Sequence, residues 1–309
     1  MNPLRNILLW ASKNPWLQRQ VPHWRFVQHA VHRFMPEETL ADVVTAAQQL
    51  QRSGYLIIFT HLGENVTDPE AAAGVFRHYQ QVLQTIENYA LPAEVSLKLT
   101  QLGFDFDPET THQYVVKLAQ QAAILGRTLW IDMENSHYID ATLALYEAVR
   151  HQVPNLGICL QAYLYRTVDD IHRLLKQPAA IRLVKGAYHE PRRVAFPKKR
   201  EVDVNYFQLA RMLLQARQQN ALHRLVFGTH DDSLIQKIVH AAHHLNLPES
   251  AYEFHLLYGI RRDVQERLLL AGQTVGVLIS YGAAWYPWYL RRLAERPANL
   301  WFVLKHLFN

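Results

Sequence analysis

The sequence predicts a (β/α)8 barrel of the TIM type preceded by an N-terminal helical arm, on three observations. Eight short runs of β-branched and apolar residues alternate with longer stretches of helical periodicity, as in a parallel sheet buried on both faces. Polar and ionisable residues gather where those runs end, which is the active-site face of a barrel. Neither a G-x-G-x-x-G turn nor a P-loop occurs, so a doubly wound nucleotide-binding sheet is disfavoured. The chain has 309 residues, 49% of them hydrophobic, which is enough for a barrel of ~250 residues plus an extension. With 19% charged residues, it is neither collagenous nor disordered.

The arm is placed at residues 1–45 and the barrel at 46–309. Residues 1–36 hold no acidic residue, while Arg5, Lys13, Arg19, Arg25 and Arg33 are interleaved with Trp10, Trp16 and Trp24. Such a segment either lies on an anionic bilayer or packs on its own domain through the tryptophans. Pro15 and the charges interrupt any secretory apolar segment, and serine is too scarce for a transit peptide. No apolar run reaches the ~20 residues of a spanning helix. The balance of 32 Lys+Arg against 27 Asp+Glu, a net +5, suits a membrane surface, a phosphate-bearing cofactor or a nucleic acid. The lone Cys159 permits no internal disulfide, so a reducing compartment is expected.

Along the chain, the first run, 55–60, leads into Thr60-His61-Leu62-Gly63-Glu64; the second, 95–99, carries Lys98. Run 129–133 is followed by Glu134 and contains Asp132 and Met133, and run 156–161 leads into Gln161-Ala162-Tyr163. Run 181–185 holds Arg182 and leads into Lys185-Gly186-Ala187-Tyr188, and run 225–229 ends in Thr229-His230. The last two, 252–256 and 274–279, carry His255 and lead to Tyr281-Gly282. Helices are expected at 68–89, 108–125, 141–151, 169–175, 202–219, 233–245, 261–270 and 287–295.

Lys98 and Asp132 stand where an unpaired charge is costly, so each requires the other, a substrate or an arginine. Arg291 and Arg292 point about 100° apart on the last expected helix, so Glu295 serves one of them; either fits a substrate carboxylate through a fork-like contact, and a plain surface cluster is the alternative. His240, His243 and His244 have helical spacing but no Asp, Glu or Cys ligand pattern beside them, so no metal site is expected. The basic segment 191–200 reads as a solvated loop, and no nucleic-acid module is present. There is no Ser-His-Asp order and no nucleophile elbow.

Taken in order, Val95-Ser96-Leu97-Lys98-Leu99-Thr100, Ile131-Asp132-Met133-Glu134, Leu160-Gln161-Ala162-Tyr163, Ile181-Arg182-Leu183-Val184-Lys185-Gly186-Ala187-Tyr188, Gly228-Thr229-His230, Leu257-Tyr258-Gly259 and Arg291-Arg292-Leu293-Ala294-Glu295 resemble the successive signatures of the proline dehydrogenase family, in its monofunctional bacterial form. The resemblance implies a distorted barrel holding FAD, oxidation of L-proline to Δ1-pyrroline-5-carboxylate, and electrons passed to a membrane quinone. It implies that Lys98, Arg291 and Arg292 hold the substrate carboxylate, that Asp132 orients that cluster, and that Arg182 lies near flavin N5. It implies FAD contacts at Met133, Gln161, Lys185, Gly186, Ala187, Thr229 and His230. The expected location is cytoplasmic, peripheral on the inner face of the membrane through the arm, with no nucleic-acid partner.

The eighth run departs from the family pattern R-x-Y-x-P-x-G: Gly276 matches its arginine, Leu278 its ring-covering tyrosine and Ser280 its proline. Trp288 matches a second tyrosine, and His255 a glutamine. Leu278 therefore sits at the substrate position and leaves two substrate readings, proline itself or a modified or carrier-bound cyclic amino acid. A third reading is a non-catalytic barrel used for binding.

Overall fold

In the computed structural model, residues 10–11, 14–21, 35, 39–286 and 290 are described. The arm contributes α1 (Pro15–Gln20), capped by Asn14, whose Oδ1 accepts from the backbone N–H of Trp16 at 3.0 Å and Leu17 at 3.1 Å. Trp10 and Trp16 are exposed. The barrel proper runs α2 (Leu40–Arg52), β1 (Leu56–His61), α3 (Pro69–Asn88), β2 (Ala93–Leu97), α4 (Pro108–Ile124), β3 (Leu129–Ile131), α5 (Ile139–Arg150) and β4 (Leu156–Gln161). It continues with α6 (Thr167–Leu174), β5 (Ala179–Val184), α7 (Lys199–Gln218), β6 (Leu222–Gly228), α8 (Asp232–His244), β7 (Glu253–Leu257), α9 (Arg262–Leu270) and β8 (Thr274–Tyr281).

All eight strands are parallel and close into a barrel, β1 pairing β8 with Ile57 opposite Val277. Helix starts follow local chemistry: Asp68 and Asp107 cap α3 and α4, and each is followed by a proline whose missing N–H costs nothing at that position. Ala72, Tyr79, Val82, Leu83 and Ile86 form the buried stripe of α3, spaced as one helix face demands.

The boundary expected after residue 45 falls inside α2, whose Val43, Val44, Ala46 and Ala47 are buried. The helix packs on β1 and β8, so these residues belong to the barrel wall. Segment 191–200 is also only partly a loop. Lys199 and Arg200 open α7, where the backbone N–H of Lys198 donates to Glu201 and Lys199 pairs with Asp203 one turn on. The strand ends shift too: β2 stops at Leu97 and β3 at Ile131, leaving Lys98, Asp132 and Met133 just beyond them, on the rim.

Alternation divides each strand into an outward apolar face under the helices and an inward face that lines the barrel. On β8, Val275, Val277 and Ile279 are buried outward, while Gly276, Leu278 and Ser280 share the inward face. The barrel interior holds a small apolar cluster, Trp130, Ala180 and Val226. Below it a polar layer closes the floor. Arg224 forks onto Glu253 through Nε and Nη2, each at 2.8 Å, and pairs with Glu94. Glu94 also accepts from Trp130 Nε1 at 2.8 Å.

Candidate active site

Arg182 is the centre of the upper interior. Its position on β5 faces inward and is only 2% exposed, so every donor must find an acceptor inside the barrel. Nη2 donates to Asp132 Oδ1 at 2.7 Å and to Ser96 Oγ at 2.6 Å, and Nε donates to Cys159 Sγ at 2.9 Å. Ser96 and Cys159 pass the interaction on, each donating to the same Asp132 oxygen, at 2.9 and 3.3 Å. Nη1 lies 3.4 Å from His255 Nδ1, and the guanidinium rests against the Trp130 ring, 4.8 Å from its centroid. Residues from β2, β4 and β7 and the rim after β3 thus fix one cation.

The electrostatics follow from this packing. Burial pushes the Asp132 carboxyl up, but Arg182, Lys98 and the Ser96 hydroxyl outweigh it and hold it below the usual carboxylate range. Burial alone would lower the Arg182 guanidinium; Cys159 and Asp132 reverse that and keep it charged. The Cys159 thiol is pushed up to about 12, first by burial, so it acts as a neutral bridge. Asp132 satisfies its charge with Arg182, the arginine option among its possible partners.

Around this centre, Lys98 starts the turn Leu99–Leu102 at the end of β2, and its backbone N–H is held by Gln101 Oε1 at 3.1 Å. Glu134 is buried beside it, accepting from Thr100 N–H at 3.1 Å and Thr100 Oγ1 at 2.7 Å. Across the rim, Tyr188 Oη donates to Glu64 Oε2 at 3.2 Å, linking the loops after β1 and β5. Leu278 is half-buried on the inward face of β8. Arg291, Arg292 and Trp288 lie outside the described residues.

The residues expected to hold a cofactor occupy the rim from β3 to β6. Gln161 Nε2 donates to the Met133 carbonyl at 3.0 Å, which leaves its Oε1 buried without a donor among the described residues. Thr229 Oγ1 accepts from Asp231 N–H at 3.2 Å, and His230 Nε2 accepts from Leu257 N–H at 2.8 Å. Lys185 Nζ is taken by Asp203 at 2.5 Å and Asp231 at 2.8 Å, so its charge serves an internal network shared with Lys199. The close approach at Gly186 is to protein. With φ +104, a Cβ there would stand 2.1 Å from Tyr163 Cδ1, so the glycine makes room for that ring.

Sequence reasoning missed Ser96, Cys159 and Trp130 as partners of Arg182. The signal was strand parity: Ser96 and Lys98, Trp130 and Asp132, and Cys159 and Gln161 are each two apart, hence on one face.

A closed (β/α)8 barrel with an immobilised cation–carboxylate pair at the C-terminal ends of its strands defines a barrel enzyme with its site at that face. Comparison with known proteins narrows the class. The proline dehydrogenase family profile matches residues 43–305. Proline dehydrogenase 1 of Bacillus subtilis subsp. natto is 33% identical over 306 residues, covering 99% of both chains. Proline dehydrogenase of Deinococcus radiodurans is 31% identical, covering 90% of this chain and 89% of its own. Among solved structures, proline utilization A from Bdellovibrio bacteriovorus, inactivated by N-propargylglycine, superposes with a TM-score of 0.81 at 20% identity. It matches 94% of this chain, which spans 36% of that longer protein. The chain belongs to the proline dehydrogenase family, whose members depend on flavin.

Proposed function

We infer that the protein oxidises L-proline to Δ1-pyrroline-5-carboxylate using FAD, with a membrane quinone as the final electron acceptor. The observation that carries this reading is the buried Arg182–Asp132 pair at the rim, within a chain that is 33% identical along its whole length to a proline dehydrogenase. Full-length similarity to proline dehydrogenases favours a catalytic barrel over one used only for binding.

The residues present fit a flavin. The orphaned Gln161 Oε1 is a buried acceptor that needs an N–H, which a flavin ring carries, and Met133, Thr229 and His230 share its side of the rim. FAD would supply the hydride acceptor, a chemistry no side chain here can perform. Lys98, joined by Arg291 and Arg292, would hold the proline carboxylate. Cations crowded around the bound substrate favour the neutral amine over the ammonium, the form that releases hydride from the adjacent ring carbon. Arg182 would stand beside the flavin as a fixed positive charge that favours the electron-rich reduced form. Asp132 keeps that cation in place. Turn 185–187 would meet the cofactor through its backbone, the Lys185 charge being engaged elsewhere.

Leu278 carries the second substrate reading, a modified or carrier-bound cyclic amino acid, only for rings without a hydroxyl group. A half-buried leucine on the inward face offers a cyclic substrate only apolar cover, and gives the hydroxyl of hydroxyproline no partner. The exposed Trp10 and Trp16, in the acid-free stretch 1–36, support a contact with anionic lipid. Among the described residues no helix is long and apolar enough to cross a membrane.

The test is anaerobic titration of the purified yellow protein with L-proline, trans-4-hydroxy-L-proline and pipecolate. Bleaching of the visible flavin band by proline is expected. A yellow protein bleached only by another cyclic amino acid would move the substrate to the second reading, and a protein that binds no flavin would refute both.

A further inference from the structure

Three inward-facing residues that the reaction leaves idle form a group that reaches Arg182 through His255: His255 and Glu253 on β7, and Gly276 opposite His255 in register on β8. His255 is 4% exposed, with Trp130 edge-on to its ring at 5.9 Å between centroids. Its Nδ1 lies 3.4 Å from Arg182 Nη1, and its Nε2 lies 3.4 Å from Glu253 Oε2. A guanidinium has only donors and a carboxylate only acceptors, so the two contacts fix one arrangement. Nδ1 is bare and accepts from Arg182, while Nε2 carries the proton and donates to Glu253. Glu253 is itself locked by the two-pronged grip of Arg224.

Gly276 supplies the space. A Cβ there would stand 2.5 Å from His255 Cδ2 and 2.7 Å from Nε2, closer than atoms approach without something moving. The imidazole, together with Ile58 Cδ1 at 2.7 Å, thus occupies the volume that any side chain at 276 would need. Burial holds the ring neutral; Glu253 pulls the other way, while Arg182 and Arg224 oppose a proton as burial does.

We propose that His255 is a positioning residue for the redox step, holding the Nη1 edge of Arg182 as a neutral acceptor, with Glu253 fixing its tautomer and Gly276 making its room. The proposal rests on the reading that Arg182 stands beside the flavin. Ser96, Asp132 and Cys159 bind the Nη2 and Nε edge of the guanidinium, and His255 binds the remaining one. With both edges held, the guanidinium plane is set before substrate arrives, as preorganised electrostatic stabilisation requires. With one edge released, the cation is free to tilt.

The holoenzyme tests this with His255→Leu, which removes the acceptor; His255→Gln, which keeps one; and Gly276→Ala, which keeps the histidine but fills its space. The readouts are the midpoint potential of bound FAD, the rate of flavin reduction at saturating proline, and proline affinity. His255→Leu and Gly276→Ala are expected to slow reduction about tenfold and to lower the potential by about 30 mV, the equivalent of a tenfold change for a two-electron couple. Proline affinity should stay within about twofold, and His255→Gln should restore rate and potential to within about threefold of wild type. Wild-type potential and rate in both Gly276→Ala and His255→Leu would overturn the proposal, as would equal losses of rate and affinity. Arg182→Met separates the underlying reading: if it alone shifts the potential, only the role of His255 fails, and if it shifts nothing, the placement of Arg182 beside the flavin fails as well.

Discussion

Asp132→Asn removes one negative charge from the Arg182 shell and almost nothing else. The amide oxygen can still accept from Ser96 Oγ and Cys159 Sγ, which reach the Asp132 carboxylate at 2.9 and 3.3 Å, so packing is preserved and the loss is electrostatic. Breaking a buried ion pair by neutralising one partner costs ~3–5 kcal/mol, since the other charge stays buried. The Arg182 side chain is 3% exposed and that of Asp132 24%, so water at the rim screens part of the loss and places it near the lower end, about 3 kcal/mol. Urea unfolding should show this as a lower midpoint at unchanged slope. Cys159 reports independently. Its thiol is held at about 12 by burial, with Asp132 pushing the same way and Arg182 opposing both. Without the carboxylate, Arg182 is the charge left to oppose burial and the thiol becomes more acidic, which a pH titration of the Cys159 13Cβ resonance would register, as the chain has a single cysteine. A stability loss below about 1 kcal/mol, the range of an exposed pair, together with an unmoved thiol titration would refute the argument.

Burial, then His78 and Lys98, lower His61 to about 4 against 6.5 in the unfolded chain, so the unfolded state takes the proton first. Stability should therefore fall as pH drops from 6.5 towards about 4, and His61→Gln should flatten that part of the melting-temperature profile; an unchanged slope would exclude His61 as the source. Gly157→Ala places a Cβ 2.4 Å from Trp130 Cε3, a ring anchored by Glu94, and should cost about 1–3 kcal/mol of unfolding free energy; a neutral result would mean the indole can shift. Lys98→Ala should raise the KM for proline about tenfold, and unchanged kinetics would remove Lys98 from carboxylate binding. Removing residues up to Arg33 should abolish sedimentation with anionic liposomes while proline still bleaches the flavin, and equal sedimentation would dispose of the lipid contact.

The barrel was legible because its parallel strands are continuous apolar runs whose polar exits are abrupt; run 156–161 coincides with β4 to the residue. Boundaries failed where side chains rather than periodicity set them. Lys199 and Arg200 read as loop because of their charge, yet Lys199 joins the helix through pairs with Asp203 and Asp231. Of the site, Lys98 and Asp132 were visible as charges that need a partner, and Arg182 through the family resemblance. Cys159 and Ser96 carry no such flag, and their role emerges only when β2 and β4 are set beside β5 across the interior. The requirement for glycine at 186 was not legible either, since the space a Cβ there would need is filled by the distant ring of Tyr163.

The seam between β1 and β8, where six consecutive residues from Leu56 to His61 face Gly276 to Tyr281, joins the two ends of the domain. Its halves are separated by roughly 220 residues of chain, so the ring cannot shut until nearly all of it exists, and contacts of such long reach are slow to form. At a synthesis rate of about 5–20 residues per second, β1 leaves the ribosome at least about 10 seconds before its partner. For that interval the edge from Leu56 to His61 lacks its final neighbour. The nascent enzyme is then a sheet with an open border, and its exposure to wrong partners is set by translation speed as much as by the stability of the finished barrel.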